Sequence, residues 1–265
     1  MAQKPIFQIN QKEQAEKQIS DIADKLFNHW VLVTPSAKYR FTEIEFYYSN
    51  ICSENIDIPD HFPPEAGIPY ILEDLYQTGF PHPDPYTHGF FNQYKNDYWY
   101  LHSNEKGLKN GKRKGLDLTI GNEGEFSYGG ILIRGIRNIT EDVYINGPSR
   151  VVDRIIFDMK KKSISEIKDI LNLTALDKNN EIYIEEFDFK TAQIKSEKSI
   201  RTTRFGLTKK KEDIDNFFDK PYRYIIELNN ANEFEDRFKI VKQLLIENKI
   251  TKEQAKNILN YNITL

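Results

Sequence analysis

The sequence predicts an α+β fold: a single domain on a curved, mostly antiparallel sheet with flanking helices, followed by a short C-terminal helical pair. Three observations lead there. Apolar residues recur at helical spacing near the N-terminus and again in the tail. Between these stretches lie runs rich in β-branched and aromatic residues, the composition of half-buried strands. Two of the runs, "WVLVT" and "YRFTEIEFYY", are separated only by "PSAK", a turn that makes them antiparallel neighbours.

The elements follow in order. Residues 11–28 place Ile19, Ile22, Ala23 and Leu26 on one side of a helix that caps the sheet. Strands are expected at 30–34 and 39–48. Strict alternation in the second puts Phe41, Glu43, Glu45 and Tyr47 on one face and Arg40, Thr42, Ile44, Phe46 and Tyr48 on the other. Residues 49–97 show no clean period and are too long for an ordinary connection, so they read as a functional loop with short helices. Strands follow at 97–102, 115–121 and 128–136. "NGPSRVVDRII" opens a helix with Gly and Pro at its entry, and 163–173 continues a helical pattern. Strands return at 181–187 and 222–228, and the tail gives two helices broken at "NKIT". The division is a domain over 1–230 and a helical appendage over 231–265.

Composition narrows the function classes. With 37 Lys and Arg against 40 Asp and Glu, the net charge of −3 does not favour a polyanion, so any nucleic-acid contact must use a local basic patch. The lone Cys52 rules out an intrachain disulfide and a multi-cysteine metal site. No stretch approaches the ~20 apolar residues of a membrane helix, and the first residues have no apolar leader. A cytoplasmic protein is expected, with no membrane partner.

Four places could carry chemistry. Glu45, beside Tyr47, is either a solvated edge residue or a carboxylate held in a cleft to take a proton from water. His88 in "DPYTHG" is either a loop histidine or a site residue. Arg134 within "GGILIRGI" demands an anion, because an apolar strand seldom carries an unpaired guanidinium, and Glu45 is available. Gly147 in "INGPSR" marks a helix start whose amides suit a phosphate. His82 and His88 bracket Asp84, but without HExxH, paired Cys or EF-hand spacing no metal is expected. Walker, GxGxxG and GxSxG patterns are absent.

The order of the pieces is more specific than any one of them. "RFTEIEFYY", "DPYTH", "YWYL", "LDLT", "GGILIRGI", "INGPSRVVDRI", "RTTRFGL" and "FFDKPYRYII" occur in the order of the conserved segments of the alkyladenine (3-methyladenine) DNA glycosylases, and the chain resembles that family from about residue 16 to 228. The resemblance implies a monofunctional enzyme that flips a damaged or modified base out of DNA and hydrolyses its N-glycosidic bond. It implies Glu45 as the general base for water and Arg134 as the residue orienting that water. Tyr47 and His88 would pack against or hydrogen-bond the flipped base, Tyr100 would be a second stacking aromatic, and Glu43 would support. No cofactor and no metal are implied, the implied partner is duplex DNA, and a monomer is expected by default.

Two departures bear on the substrate. The family's asparagine that opposes the guanine amino group matches Asp117, and an ionised Asp only accepts hydrogen bonds, so a base bearing an exocyclic amine is expected. In place of the family's intercalating hairpin stands "SNEKGLKNGKRK". There Leu108 is the apolar wedge, and Lys106, Lys109, Lys112, Arg113 and Lys114 would contact phosphate. Two other classes compete: a non-catalytic nucleic-acid-binding module on the same fold, and an N-glycoside hydrolase of free nucleosides or nucleotides.

Overall fold

The computed structural model describes residues 6–50, 81–88, 91–102, 114–122, 127–167 and 174–263, without the side chains of Phe91 and His102. Helix α1 (Ala15–His29) buries Ile19, Ile22, Ala23 and Leu26 as their spacing requires, and leads directly into β1 (Trp30–Val33). The chain turns at Thr34, whose amide donates to the Ala37 carbonyl (2.9 Å), and returns antiparallel as β2 (Lys38–Ser49). Then come β3 (Asn96–His102), β4 (Gly115–Ile120), β5 (Tyr128–Asn138) and β6 (Tyr144–Asn146). Helix α2 (Pro148–Asp158) follows, with Pro148 at the first position, where its missing N–H costs nothing. The last strands are β7 (Tyr183–Glu186), β8 (Ile200–Thr202) and β9 (Arg223–Ile225).

All pairings between these strands are antiparallel, in the order β3-β4-β5-β2-β1-β7, with β6 on β5 and the β9–β8 pair added beside β2. The result is a single α+β domain whose sheet curls into a half-barrel. Long β2 is its spine, bonded to β1, β5 and β9. Its Tyr39, Phe41, Ile44, Phe46 and Tyr48 enter the main apolar core with Ile19, Leu26 and Phe27 of α1 and Val151, Val152 and Ile155 of α2.

Strict alternation along β2 therefore fails ahead of the carboxylates: Phe41 belongs to the core, while Arg40, paired with Glu227 and stacked on Phe189, lies away from Ile44, Phe46 and Tyr48. The physical reason is an irregularity in the β2–β5 pairing between Phe41 and Ile44, where Thr42 and Arg134 are both skipped. Elsewhere the sequence pattern overreached. The helical run expected over 163–173 is a single 3₁₀ turn, Ile164–Glu166, with 168–173 outside the described residues. Strands β6 and β8 went unforeseen, whereas the equally short β9 was expected because it lies inside the longer apolar run 222–228.

The tail forms α3 (Arg237–Ile246) and α4 (Lys252–Leu259), and α4 opens on a capping box in which Thr251 and Gln254 exchange side-chain-to-backbone hydrogen bonds. The pair closes on Val241, Leu245, Ala255, Ile258 and Leu259, and α3 rests on the sheet where Phe234, Ile240 and Leu244 meet Ile225 of β9.

At the far edge, Asp97 of β3 holds the N-terminal segment by accepting the Ile6 amide (2.9 Å). Burial pushes its carboxyl from 3.8 up to about 6, against the Ile6 and Phe7 amides and Lys25. The folded chain thus binds this proton more tightly than the unfolded one. The stability it contributes is complete at pH values below 3.8 and is lost as pH rises through about 6. Asp97→Asn, always neutral and tolerant of the positive φ of 58° here, is expected to match the parent in acid and exceed it by up to about 3 kcal/mol well above pH 6. Parallel stability curves for the two proteins in urea titrations across this pH range would refute the assignment.

Candidate active site

The sheet register carries one row of residues across five strands. Arg223 of β9 pairs with Glu45 of β2, Glu45 with Leu132 of β5, Leu132 with Asp117 of β4, and Asp117 with Tyr100 of β3. Directly paired residues project to the same face, so Glu45, Asp117 and Tyr100 share one side of the half-barrel. The adjacent row is Tyr47, Gly130 and Thr119. Gly130 is required there: a Cβ would lie 2.6 Å from Oδ2 of Asp117.

Glu45 is fully buried, at 0% exposure. Its Oε1 accepts the Phe205 amide (2.7 Å) and its Oε2 accepts the Tyr47 hydroxyl (2.9 Å), while Nη1 of Arg134 stands 3.4 Å from Oε2. Glu43, also buried, takes Nε of Arg134 (2.6 Å) and Nε of Arg223 (2.8 Å) on the same oxygen. Two carboxylates and two guanidiniums thus meet inside the sheet, charge-balanced and hydrogen-bonded as buried ions must be.

The electrostatics follow from that packing. Burial raises the pKa of Glu45, against the pull of Arg134, the Phe205 amide and Arg223, with Glu43 adding to the rise. Burial works against the charge on Arg134 too, but Glu45 and Glu43 outweigh it and hold the guanidinium charged. The Tyr47 hydroxyl is pushed well up by burial and by Glu45, so it acts as a donor. On β3, burial and then Asp117 raise the Tyr100 hydroxyl.

Behind Tyr47 lies a second buried ion pair. Arg204 donates twice to Asp84 (2.5 and 3.2 Å), caps the carbonyls of Phe46 (3.2 Å) and Phe217 (2.9 Å), and sits 4.8 Å from the centre of the Tyr47 ring. Burial opposes its charge, but Asp84 outweighs that. The buried histidine nearby is His82, with Nδ1 on the Tyr48 carbonyl (2.8 Å) and Nε2 on the Tyr222 hydroxyl (2.7 Å); burial lowers its pKa. Both nitrogens of His82 and both oxygens of Asp84 are therefore occupied within the protein.

Of the residues singled out in the sequence, Glu45, Arg134, Tyr47, Asp117 and Tyr100 gather on this face. His88 is exposed. Gly147, at φ +98°, spends its amide on the Arg134 carbonyl (2.7 Å), so it steadies the strand that bears Arg134. Lys114 is tied to α2: its amine pairs with Asp153 and its amide donates to Ser149 Oγ (3.1 Å). Leu108, Lys106, Lys109, Lys112 and Arg113 lie outside the described residues, as do 51–80 of the long loop.

Sequence reasoning assigned no role to Arg204, Phe205, Arg223 or Asp84. Arg223 in "PYRYII" bears the signal that flagged Arg134, a cation inside an apolar strand.

Fold and site together define an α+β half-barrel protein with a paired Glu–Arg cluster at the centre of its sheet. No protein-family model matches the chain. It is 30% identical over 223 residues to uncharacterized protein L759 of Acanthamoeba polyphaga mimivirus, across 80% of this chain and 87% of that protein. The chain belongs to the family of that viral protein. Among the described residues, no helix is long and apolar enough to cross a membrane.

Proposed function

We propose that the protein is a monofunctional DNA glycosylase that extrudes a damaged or modified base from duplex DNA and hydrolyses its N-glycosidic bond, as in base excision repair. The observation that carries this reading is Glu45: a buried carboxylate of raised pKa, beside Arg134, in one row with Asp117 and Tyr100.

Extrusion of a nucleotide from the stack costs a few kcal/mol, roughly, and a base against Tyr100 and Asp117 recovers part of it. The bond between C1′ and the base breaks with its electron pair leaving on the base, and the sugar takes on oxocarbenium character. Water adds its oxygen to C1′ and gives its proton to Glu45. Glu45 then gives the proton back to solvent, or to the departed base where it left as an anion, and the products are free base and an abasic site. A carboxylate of raised pKa is the better base for this step, because proton affinity and ionised fraction are balanced nearer to neutrality. Arg134, held charged, orients the carboxylate and the water.

One observation favours a second reading. Glu45 is wholly enclosed, with Oε1 on Phe205 and Oε2 on Tyr47, an arrangement that also suits a non-catalytic nucleic-acid-binding module. The deciding experiment incubates the protein and Glu45→Gln with duplexes carrying alkylated, deaminated and hypermodified bases, followed by alkali and gel analysis. Glu45-dependent scission establishes the glycosylase; salt-sensitive binding without scission on any duplex establishes the module.

Asp117 sets the expected substrate preference. Asp117→Asn replaces a group that only accepts with one that also donates. It is expected to shift excision away from bases with an exocyclic amine facing it, by roughly tenfold or more, the scale of one hydrogen bond to a charged group. An unchanged ranking of excised bases refutes this role.

A further inference from the structure

Tyr47 was expected to be the face on which an extruded base stacks, yet Arg204 already lies over its ring and its hydroxyl is taken by Glu45. A different aromatic is placed for that work. Phe205 reaches the site through its own backbone, since its amide is the donor to Glu45, while the residue as a whole is 37% exposed. Arg134 and Arg223 lie over this ring at 5.2 and 5.7 Å. Their Nε atoms are 2.6 and 2.8 Å from one and the same Glu43 oxygen, so the two guanidiniums stand side by side and back the ring from one side. Phe205 itself remains part exposed, so its ring also meets solvent.

The chain beyond Phe205 adds charge. Gly206 turns at φ +75° with open space where a side chain would stand. Lys210 is fastened back onto the Pro85 carbonyl (2.5 Å) and the Tyr86 ring. Its neighbours Lys209 and Lys211 are exposed and form no ion pair within the described residues. Lys209 lies four residues from the amide that caps Glu45, a backbone span of at most ~14 Å, and Lys211 six, at most ~21 Å.

We infer that Phe205, Lys209 and Lys211 form a nucleotide platform at the mouth of the site: the ring stacks an extruded base, and the two amines hold the flanking phosphates. An aromatic face among cations is the general chemistry for binding an unstacked nucleotide in a polynucleotide. The inference deepens the glycosylase reading, and rests on it for placing the reacting nucleotide at Glu45.

The test uses the full chain and a duplex with one 2-aminopurine, whose fluorescence rises when the base leaves the stack and falls when it meets a new aromatic face. Wild type is expected to give a quenched, extruded probe. Phe205→Leu is expected to raise the bound fluorescence and weaken binding roughly tenfold, and Phe205→Tyr to restore both. Lys209→Gln/Lys211→Gln is expected to leave the quenching intact and to lower the slope of log affinity against log salt by about 1.8, the release of counterions from two phosphates. The charge-matched Lys252→Gln/Lys256→Gln on α4 is expected to leave that slope alone. Unchanged fluorescence in Phe205→Leu, or an unchanged slope in the Lys209/Lys211 variant, overturns the platform. Excision is scored separately on the same samples: quenching and slope effects without base release would sink the glycosylase reading and leave the platform standing, and base release with neither effect would do the reverse.

Discussion

Glu45→Gln is expected to release base at least about 10²- to 10⁴-fold more slowly than the parent while still binding duplex DNA, the range a positioned general base contributes. The amide oxygen of Gln can still accept the Phe205 amide and Glu43 still holds both guanidiniums, so the variant is expected to fold with reduced stability while the proton acceptor is lost. The pH dependence carries the same signature. Glu45 works as a base only when ionised, and burial raises its pKa, so the parent's activity is expected to climb with pH along a limb above the ordinary carboxylate range. That limb is expected to vanish in the variant's residual rate. Single-turnover excision across pH measures both, and a Gln variant with parental rates would remove Glu45 from the mechanism.

The largest stability effect is expected at Arg204. Arg204→Met leaves Asp84, 1% exposed, without its cation, and strips the donors from the Phe46 and Phe217 carbonyls. Breaking one side of such a buried pair costs about 3–5 kcal/mol, or roughly 10 °C in melting temperature for a domain of this size. Adding Asp84→Asn is expected to recover part of the loss, because the stranded charge goes with it. Calorimetry on the single and double variants decides: a loss below about 1 kcal/mol in the single variant would mean the pair contributes nothing net.

How much of this was legible in the sequence depends on range. Helix α1, the hairpin of β1 and β2, and the tail pair are set by local periodicity and turn residues, and the sequence showed them. Glu45, Arg134 and Asp117 could be picked out by residue type and order. Their register could not, because it depends on pairing between strands as far apart as β2 and β9 and on an irregularity at Glu43 that no local pattern announces. Phe41 shows the cost: one slip in pairing moved it from the carboxylate face to the core. Arg204 and Asp84 escaped for a related reason. Each looks like a loop charge in its own segment, and only tertiary closure makes them partners across 120 positions.

The row from Arg223 through Glu45, Leu132 and Asp117 to Tyr100 draws each member from a different strand, and the order along the row is not the order along the chain. No fragment shorter than the stretch from Glu45 to Arg223 holds all of it. A chain emerging during synthesis therefore has no assembled site until its last strand, β9, has docked beside β2. Contacts of such long sequence separation form late and slowly. On the proposed reading, an immature or misregistered chain is expected to lack activity, because the full row exists only in molecules whose sheet is complete.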